Sequence, residues 1–247
     1  MAALRVEREG DLLHVTLARP ERRNAFDAAL IRELTEAFSD VGDACAVVLA
    51  GEGTSFCAGA DVEWQRSAID LSYEENVEDA LRLYRMLEVI DRCPAPVVAR
   101  VQGYALGGGS GLVSCTDVAV AAEDAVFGFS EVKLGIIPAV VSTFVLARIG
   151  PAAARRLFLT GERFDAATAL RIGLVHEVAA DADGVVERIL SELRSSGPEA
   201  TRAAKRLIRE RPGGEEAARV AARLRAGAEG QEGLRAFLDK RKPEWRA

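Results

Sequence analysis

Two short loops rich in small residues are the parts of this 247-residue sequence best suited to chemistry. The first is Gly103–Leu112 (GYALGGGSGL), in which three consecutive glycines leave backbone amides uncovered by side chains. If a helix starts after the glycines, its N-terminus adds roughly half a positive charge at the same place. Amides held in this way stabilise an anion, or an oxygen that becomes negative during a reaction. A tight turn that packs a helix closely against a strand explains the glycines equally well.

Three established glycine motifs do not fit this loop. A dinucleotide-binding GxGxxG beginning at Gly107 and a GxSxG nucleophile motif centred on Ser110 both need glycine where Leu112 stands. The GK[ST] ending of a phosphate-binding loop is also missing. Ser110 is therefore a weak candidate for a nucleophile, and the two histidines, His14 and His176, both lie in apolar runs that indicate packing.

The second loop is Phe56–Asp61 (FCAGAD), which follows a short apolar run typical of a buried strand. Small residues around Gly59 again leave amides open. Two such strand-to-loop corners can aim two amides at one carbonyl oxygen, and a thioester carbonyl that becomes an enolate gains most from that pair. Glu131 follows the apolar run AVFGFS, where partial burial would raise the pKa of a carboxyl and suit it to acid–base work. Judged alone, Glu131 is more typical of a surface residue.

The elements that must position these loops alternate between strands and helices. The predicted order is a pair of strands around Gly10–Asp11, a helix over 24–38 capped by Asp27, a buried strand at AVVLAGEG, a helix over 73–92, a strand over 97–101, a short helix after the glycines, a strand over 118–121 and mostly helices from Ala139 on. This order indicates an α/β body followed by a helical C-terminal part.

Composition and charge exclude several classes of protein. With 49% hydrophobic and 28% charged residues, the chain can bury a core and is not disordered. Its net charge of −6 argues against nucleic-acid binding. Residues 201–247 nevertheless hold 13 Lys/Arg against 7 Asp/Glu. This basic tail predicts either a solvated helical face or contact with an anionic ligand or an acidic partner.

The cysteines and the apolar segments bear on location. Cys45, Cys57, Cys93 and Cys115 contain no CxxC pair, so we expect reduced thiols, and with no Cys/His cluster we expect no metal site. The first ten residues lack the apolar region of a secretory signal. The longest apolar stretch, over 134–147, is interrupted by proline and falls short of the ~20 residues of a membrane span. These features predict a cytoplasmic protein that neither crosses a membrane nor binds nucleic acid.

Four segments, in this order and spacing, resemble the crotonase superfamily, the enoyl-CoA hydratases and isomerases. They are FCAGADV, GYALGGGSGL, SEVKLGIIP and GLRAFLDKRKPEW, and the similarity extends from Ala18–Phe26 (ARPERRNAF) to the C-terminus. The resemblance implies an α/β spiral of ββα turns over 1–195 and a helical trimerisation region over 196–247. It also implies an acyl-CoA substrate, a trimer or dimer of trimers, and no separate cofactor, because coenzyme A is part of the substrate.

The resemblance implies roles for individual residues. The amides of Ala58 and Gly108 are expected to bind the thioester oxygen, and Glu131 is expected to transfer protons. The residues expected to bind CoA are Arg22, Arg23, Ala58, Gly59, Ala60, Asp61, Gly108 and, reaching CoA bound to a neighbouring subunit, Phe237 and Lys240. The basic tail would then face the phosphates of CoA.

One position departs from the pattern of the two-glutamate hydratases. They carry a second glutamate where Gly111 stands, so a water molecule would have at most one of the two carboxylates here. Three outcomes stay open: hydration of a 2,3 double bond with Glu131 serving both proton transfers, isomerisation by Glu131 between carbons 2 and 4, and binding without catalysis.

The flanking segments favour hydration. The stretches ADVEWQRS, SYEENVEDA and EVKLGIIPAVVSTFVLARIG resemble the bacterial methylglutaconyl-CoA and carboxygeranoyl-CoA hydratases, some of which also have glycine at this position. That branch implies a role in leucine or fatty-acid metabolism. A glutaconyl-type substrate would need a basic partner for its carboxylate, and Arg66 and Lys133 are candidates only by proximity to the motifs.

Overall fold

A computed structural model describes residues 3–246 of the chain. The strands are β1 (Leu4–Glu9), β2 (Leu12–Leu17), β3 (Ala46–Gly51), β4 (Val97–Val101), β5 (Tyr104–Leu106), β6 (Val118–Ala122), β7 (Val126–Gly128), β8 (Arg163–Asp165) and β9 (Glu177–Ala179). The helices are α1 (Ala28–Ser39), α2 (Val62–Ser67), α3 (Tyr73–Asp91), α4 (Gly108–Ser114), α5 (Ala139–Thr160), α6 (Ala166–Arg171), α7 (Ala182–Ser195), α8 (Pro198–Glu210), α9 (Gly214–Ala226) and α10 (Ala228–Leu238). The predicted α/β body with a helical C-terminal part is confirmed.

Six strands form the larger sheet, in the order β1-β2-β3-β4-β6-β9. Only the hairpin β1–β2 is antiparallel, and the other pairs are parallel. The apolar run at β3 is buried as predicted, because a parallel strand in the middle of a sheet is covered on both faces. Leu87 and Ile90 of α3 belong to the cluster on one face, and Val186 and Leu190 of α7 to the cluster on the other.

The first two long helices begin where the chain supplies caps. The Asp27 side chain accepts a hydrogen bond from the Leu30 amide at 2.8 Å, as expected of a helix N-cap. The prediction of a helix from residue 24 placed this start too early. Asn24 has a φ of 54° and is fully buried, where its side-chain amide donates to the Ser55 carbonyl at 2.8 Å. Helix α3 starts at Tyr73, and Ser72 and Glu75 form a capping box at its N-terminus.

A second sheet, β5-β7-β8, was not predicted from the sequence. Its strands have three residues each, too short for a recognisable alternation of apolar and polar residues. An isolated bridge between Cys57 and Ala105 attaches the FCAGAD loop to the edge of this sheet. The two loops singled out by their glycines are therefore hydrogen-bonded neighbours.

The described residues also bear on the expectations about membrane spans, metal sites and cysteines. None of their helices is long and apolar enough to cross a membrane. No group of three or more His, Cys, Asp or Glu side chains within them is arranged to hold a metal ion. The four cysteines are free thiols, three of them buried.

Candidate active site

The two glycine-containing loops and Glu131 line one cleft of about 880 Å³. The FCAGAD loop contributes residues 58–60, and the GGG loop contributes Gly107 and Gly108. The Leu106 amide donates to the Cys57 carbonyl at 3.0 Å, which holds the loops side by side. Residues from β3–α2, β5–α4 and the turn after β7 therefore meet at one place.

Glycine is required where the loops touch. Gly59 has a φ of 96°, and a Cβ added there would lie 2.8 Å from the Leu106 carbonyl oxygen. A Cβ on Gly109 would overlap the Cys57 carbonyl oxygen. Any larger residue at either position would force the loops apart and would change the distance between their amides.

Two amides of the cleft that are available to bind a substrate oxygen are those of Ala60 and Gly108. Neither amide donates to any acceptor among residues 3–246, and both residues are half-buried and line the cleft. Phe26 bonds to the peptide groups on either side of Ala60, since its amide donates to Gly59 and its carbonyl accepts from Asp61. The Ala60 amide is thereby left unpaired.

The expectation that Ala58 is a donor does not fit this geometry. The Ala58 amide already donates to the Arg23 carbonyl at 2.9 Å. Breaking that bond to serve a substrate would leave a peptide carbonyl without its partner, which costs about 1–3 kcal/mol if the group is buried. Ala58 lines the cleft but its amide is already bonded, whereas the amide of Ala60, a residue predicted only as a CoA contact, is unpaired.

Glu131 supplies the carboxylate of the cleft. It opens a 3-10 turn directly after β7, and its Oε1 lies 3.1 Å from the position that a Cβ on Gly107 would take. Its Oε2 is buried and has no hydrogen-bond partner among the described residues. Burial raises the pKa of Glu131, and a hydrogen bond from its own backbone amide offsets this only in part. A carboxyl poised in this way can both accept and return a proton.

Gly111, where the two-glutamate hydratases carry their second glutamate, has no room for a side chain. A Cβ added to Gly111 would overlap Cγ1 of Val141 and lie 3.0 Å from its Cβ. Val141, on α5, is only 3% exposed and lines the cleft. Val141 therefore packs directly against the backbone of Gly111, and no side chain fits at position 111. Ser110 is structural, because its buried hydroxyl donates to the Ala105 carbonyl at 2.6 Å.

Arg22 and Asp61, two of the predicted CoA contacts, bond to each other. The Asp61 carboxylate accepts from Arg22 at 2.9 Å and from the Glu63 amide at 2.8 Å, which caps α2. Burial by itself raises the pKa of Asp61, but these hydrogen bonds outweigh it and hold the pKa below its usual range. The carboxylate fixes the loop that carries Ala60.

The remaining predicted contacts lie elsewhere. The Arg23 guanidinium stacks 5.7 Å from the centre of the Tyr104 ring, and Arg163 lies 5.5 Å from the same ring. Phe237 is 80% exposed at the end of α10, and neither it nor Lys240 lines this cleft. The structure therefore does not bring these two residues to the loops of their own chain.

An α/β body in which two free amides and one partly buried carboxylate line a single cleft is typical of enzymes that stabilise an enolate. The family model for enoyl-CoA hydratase/isomerase matches residues 7–247. The crotonyl-CoA hydratase of Syntrophomonas wolfei is 34% identical, over 96% of this chain and 95% of its own length.

Two solved structures are similar over nearly their whole length. An enoyl-CoA hydratase from Shewanella pealeana is 37% identical with a TM-score of 0.94, covering 98% of this chain and 96% of that one. Pseudomonas aeruginosa AtuE is 41% identical, also with a TM-score of 0.94, covering 99% and 100%. The chain belongs to the enoyl-CoA hydratase/isomerase family, within the crotonase superfamily. The crotonase-type fold predicted from the sequence is confirmed.

Proposed function

We propose that this protein adds water across the 2,3 double bond of an enoyl-CoA thioester. The observation that carries the proposal is the cleft where the free amides of Ala60 and Gly108 lie with the Glu131 carboxylate. The amides are suited to an oxygen that gains negative charge, and the carboxylate is suited to proton transfer. Similarity to proteins named enoyl-CoA hydratase and crotonyl-CoA hydratase supports the same reaction.

The proposed reaction has two steps. The thioester oxygen accepts hydrogen bonds from Ala60 and Gly108, and the Glu131 carboxylate takes a proton from water as the water oxygen bonds to carbon 3. The electrons of the double bond move to the thioester oxygen and form an enolate. The protonated Glu131 then returns its proton to carbon 2 as the enolate collapses. The product contains one added water, and Glu131 ends as it began.

Isomerisation of a 3-enoyl-CoA is the second candidate. The contact between Gly111 and Val141 favours it, because this contact leaves no room for a second carboxylate that would hold a water molecule. An ordered water needs two to four polar partners, and Val141 presents methyl groups to the cleft. Glu131 alone is sufficient to move a proton from carbon 2 to carbon 4, a reaction that needs no water. A member that binds acyl-CoA without catalysis is the third candidate.

Several finer features of the proposal rest on the resemblance. These are a methylglutaconyl-type acyl group, a role in leucine or fatty-acid degradation, a trimer or dimer of trimers, and a cytoplasmic location. In a trimer, Phe237 and Lys240 would reach CoA bound to a neighbouring subunit. Their exposure on α10 and in the segment after it agrees with that role.

Glu131→Gln tests the proposal. We expect turnover of a 2-enoyl-CoA to fall about 100- to 10,000-fold, nearer the upper value because one residue serves both steps. Affinity for CoA, measured by calorimetry, should be unchanged because Glu131 is not among the residues expected to bind CoA. Near-parental turnover in the folded variant would contradict the role of Glu131.

The products of the parent enzyme identify the reaction. In water labelled with oxygen-18 and deuterium, hydration places labelled oxygen on carbon 3 and deuterium on carbon 2. Isomerisation adds no oxygen and moves the double bond. CoA binding without turnover of either substrate would support the non-catalytic candidate.

A further inference from the structure

Phe26 contacts both residues whose amides are proposed to bind the thioester oxygen. Phe26 and Ala60 form an isolated parallel β-bridge. In this bridge the Phe26 amide donates to the Gly59 carbonyl at 2.7 Å, and the Phe26 carbonyl accepts from the Asp61 amide at 2.7 Å. The Phe26 ring packs beside Gly108, where an added Cβ would lie 2.8 Å from a ring atom. One residue therefore sets where the two amides stand relative to each other.

The bridge fixes the direction of the Ala60 amide. The carbonyl of Gly59 and the N–H of Ala60 belong to one planar peptide group, and in a trans peptide they point in opposite directions. The hydrogen bond turns the Gly59 carbonyl toward the Phe26 backbone, so the Ala60 N–H points away from it. A movement of the Phe26 backbone would therefore change the direction of this donor.

The Arg19 guanidinium contacts residues on both sides of this bridge. Its Nη1 donates to the Ala25 carbonyl at 3.0 Å and lies 2.7 Å from Oδ2 of Asp27. Its Nη2 lies 3.5 Å from Oδ2 of Asp61. The first two of these residues are the chain neighbours of Phe26, and the third directly follows the donor residue of the bridge. One side chain thus connects the two segments that the bridge joins.

The Arg19 side chain is itself held in place. It is only 12% exposed. The fully buried Asn24 fixes its backbone, because the Asn24 side-chain oxygen accepts from the Arg19 amide at 2.8 Å and the Asn24 amide donates to the Arg19 carbonyl at 2.9 Å. A guanidinium presents its N–H groups in a rigid planar fork, so it can hold several acceptors at set distances, which a lysine ammonium cannot do in the same geometry.

We infer that Arg19 is a positioning residue for the reaction, which fixes Phe26 and Asp61 and through them the direction of the Ala60 amide. The inference rests on the proposed function, because that function gives the Ala60 amide its role. Arg19 is not one of the described residues that line the cleft, so it acts through its neighbours. Loss of an oxyanion donor lowers turnover about 100- to 1,000-fold, and a misplacement of about 1 Å can cost about 100-fold. A donor that is displaced but still present should therefore cost about 10- to 100-fold.

Two substitutions of Arg19 and two matched controls test the inference by kinetics. Arg19→Lys keeps a positive charge but loses the planar fork, whereas Arg19→Met removes the charge. Arg100→Lys and Arg100→Met are the controls, because Arg100 bonds to the Asp183 carboxylate at 2.9 Å and neither residue lines the cleft. For a 2-enoyl-CoA, kcat should fall about tenfold in Arg19→Lys and up to about 100-fold in Arg19→Met. KM should stay within about twofold, because the amides matter most when the thioester oxygen gains charge, and the controls should keep the parental values.

A spectroscopic measurement reports on the amides without turnover. Saturated butyryl-CoA, labelled with carbon-13 at the thioester carbonyl, is bound to each protein and its carbonyl stretch is recorded by infrared difference spectroscopy. Hydrogen bonds to the carbonyl oxygen weaken the C=O bond and lower this frequency. The lowering should be smaller in both Arg19 variants than in the parent and unchanged in the Arg100 variants. A role of Arg19 in stability alone would leave the frequency of the folded protein unchanged.

Several results would overturn the inference. They are a parental kcat in folded Arg19→Met, a change confined to KM, a lower kcat without a change in the carbonyl frequency, and an equal loss in the Arg100 variants. If circular dichroism shows that Arg19→Met does not fold, the same two measurements on Arg19→Lys decide.

The two measurements also separate the inference from the proposed function. If the parent hydrates no 2-enoyl-CoA but lowers the carbonyl frequency, and the Arg19 variants lower it less, the positioning role stands and the proposed function fails. If the parent hydrates a 2-enoyl-CoA and the Arg19 variants keep both the parental kcat and the parental frequency, the proposed function stands and the inference is wrong.

Discussion

Substitution of Gly111 by alanine tests the packing that closes the second acid position. Helix propensity alone favours alanine over glycine inside α4 by about 0.5–1 kcal/mol. The added Cβ, however, would overlap Val141 Cγ1 and lie 3.0 Å from Val141 Cβ. Valine in a helix has one strongly preferred rotamer, so the backbone must move to relieve the overlap. Overpacking of a core costs about 1–3 kcal/mol, which exceeds the gain from propensity.

The expected net loss is about 1 kcal/mol and at most about 2.5 kcal/mol. For a chain of this size, each kcal/mol lowers the Tm by roughly 2–4 °C. Thermal unfolding followed by circular dichroism should show this decrease for Gly111→Ala. Gly214→Ala on α9 is the control, because no atom lies within 4 Å of a Cβ added there. Its stability should be unchanged or slightly higher.

A double-mutant cycle with Val141→Ala makes the test specific. Once Val141 is shortened, Gly111→Ala no longer meets Cγ1 and keeps only the 3.0 Å contact with the Cβ of residue 141. The loss should therefore become smaller, with a coupling energy within the roughly 0.5–3 kcal/mol of contacting pairs. The same loss in both backgrounds, or a Gly111→Ala protein as stable as the Gly214→Ala control, would refute the packing explanation. The steric contact also predicts that Gly111→Glu alone cannot place a carboxylate in the cleft.

Two further predictions concern the oxyanion amides and the carboxylate. Gly108→Pro removes an amide, while Gly108→Ala keeps it and adds a Cβ in the same tight space, 2.8 Å from the Phe26 ring. Turnover should therefore be about 100-fold lower in the proline variant than in the alanine variant, and equal turnover would exclude this amide as a donor. Burial raises the pKa of Glu131, so the folded state keeps its proton to higher pH than the unfolded state, and stability falls as pH rises through that window. Glu131→Gln should therefore raise the Tm at pH 7, and the difference should vanish below about pH 4, whereas a difference independent of pH would contradict this origin.

Local sequence was sufficient to single out the segments that line the cleft. Glycine runs and small residues leave amides uncovered whatever surrounds them, so the FCAGAD and GGG loops are recognisable from their residue types alone. Glu131 became a candidate only together with these loops, because judged alone it is more typical of a surface residue. The cap at Asp27 follows from its own segment, because its bond to Leu30 is formed within one helical turn. The alternation of strands and helices in the larger sheet was visible for the same reason.

Contacts between distant segments decided what the site can do. Which amide of the FCAGAD loop is free depends on Arg23 and Phe26, which lie more than thirty residues earlier. The Arg23 carbonyl accepts from the Ala58 amide, and Phe26 bonds to the peptide groups on either side of Ala60. The absence of a second carboxylate was visible as Gly111, but only packing shows that Val141, thirty residues later, fills the space where a side chain would stand. The strands of the smaller sheet are too short to form a pattern and exist only because their partners align them. The types of chemical group are local properties of a chain, whereas their availability depends on which other groups the fold places beside them.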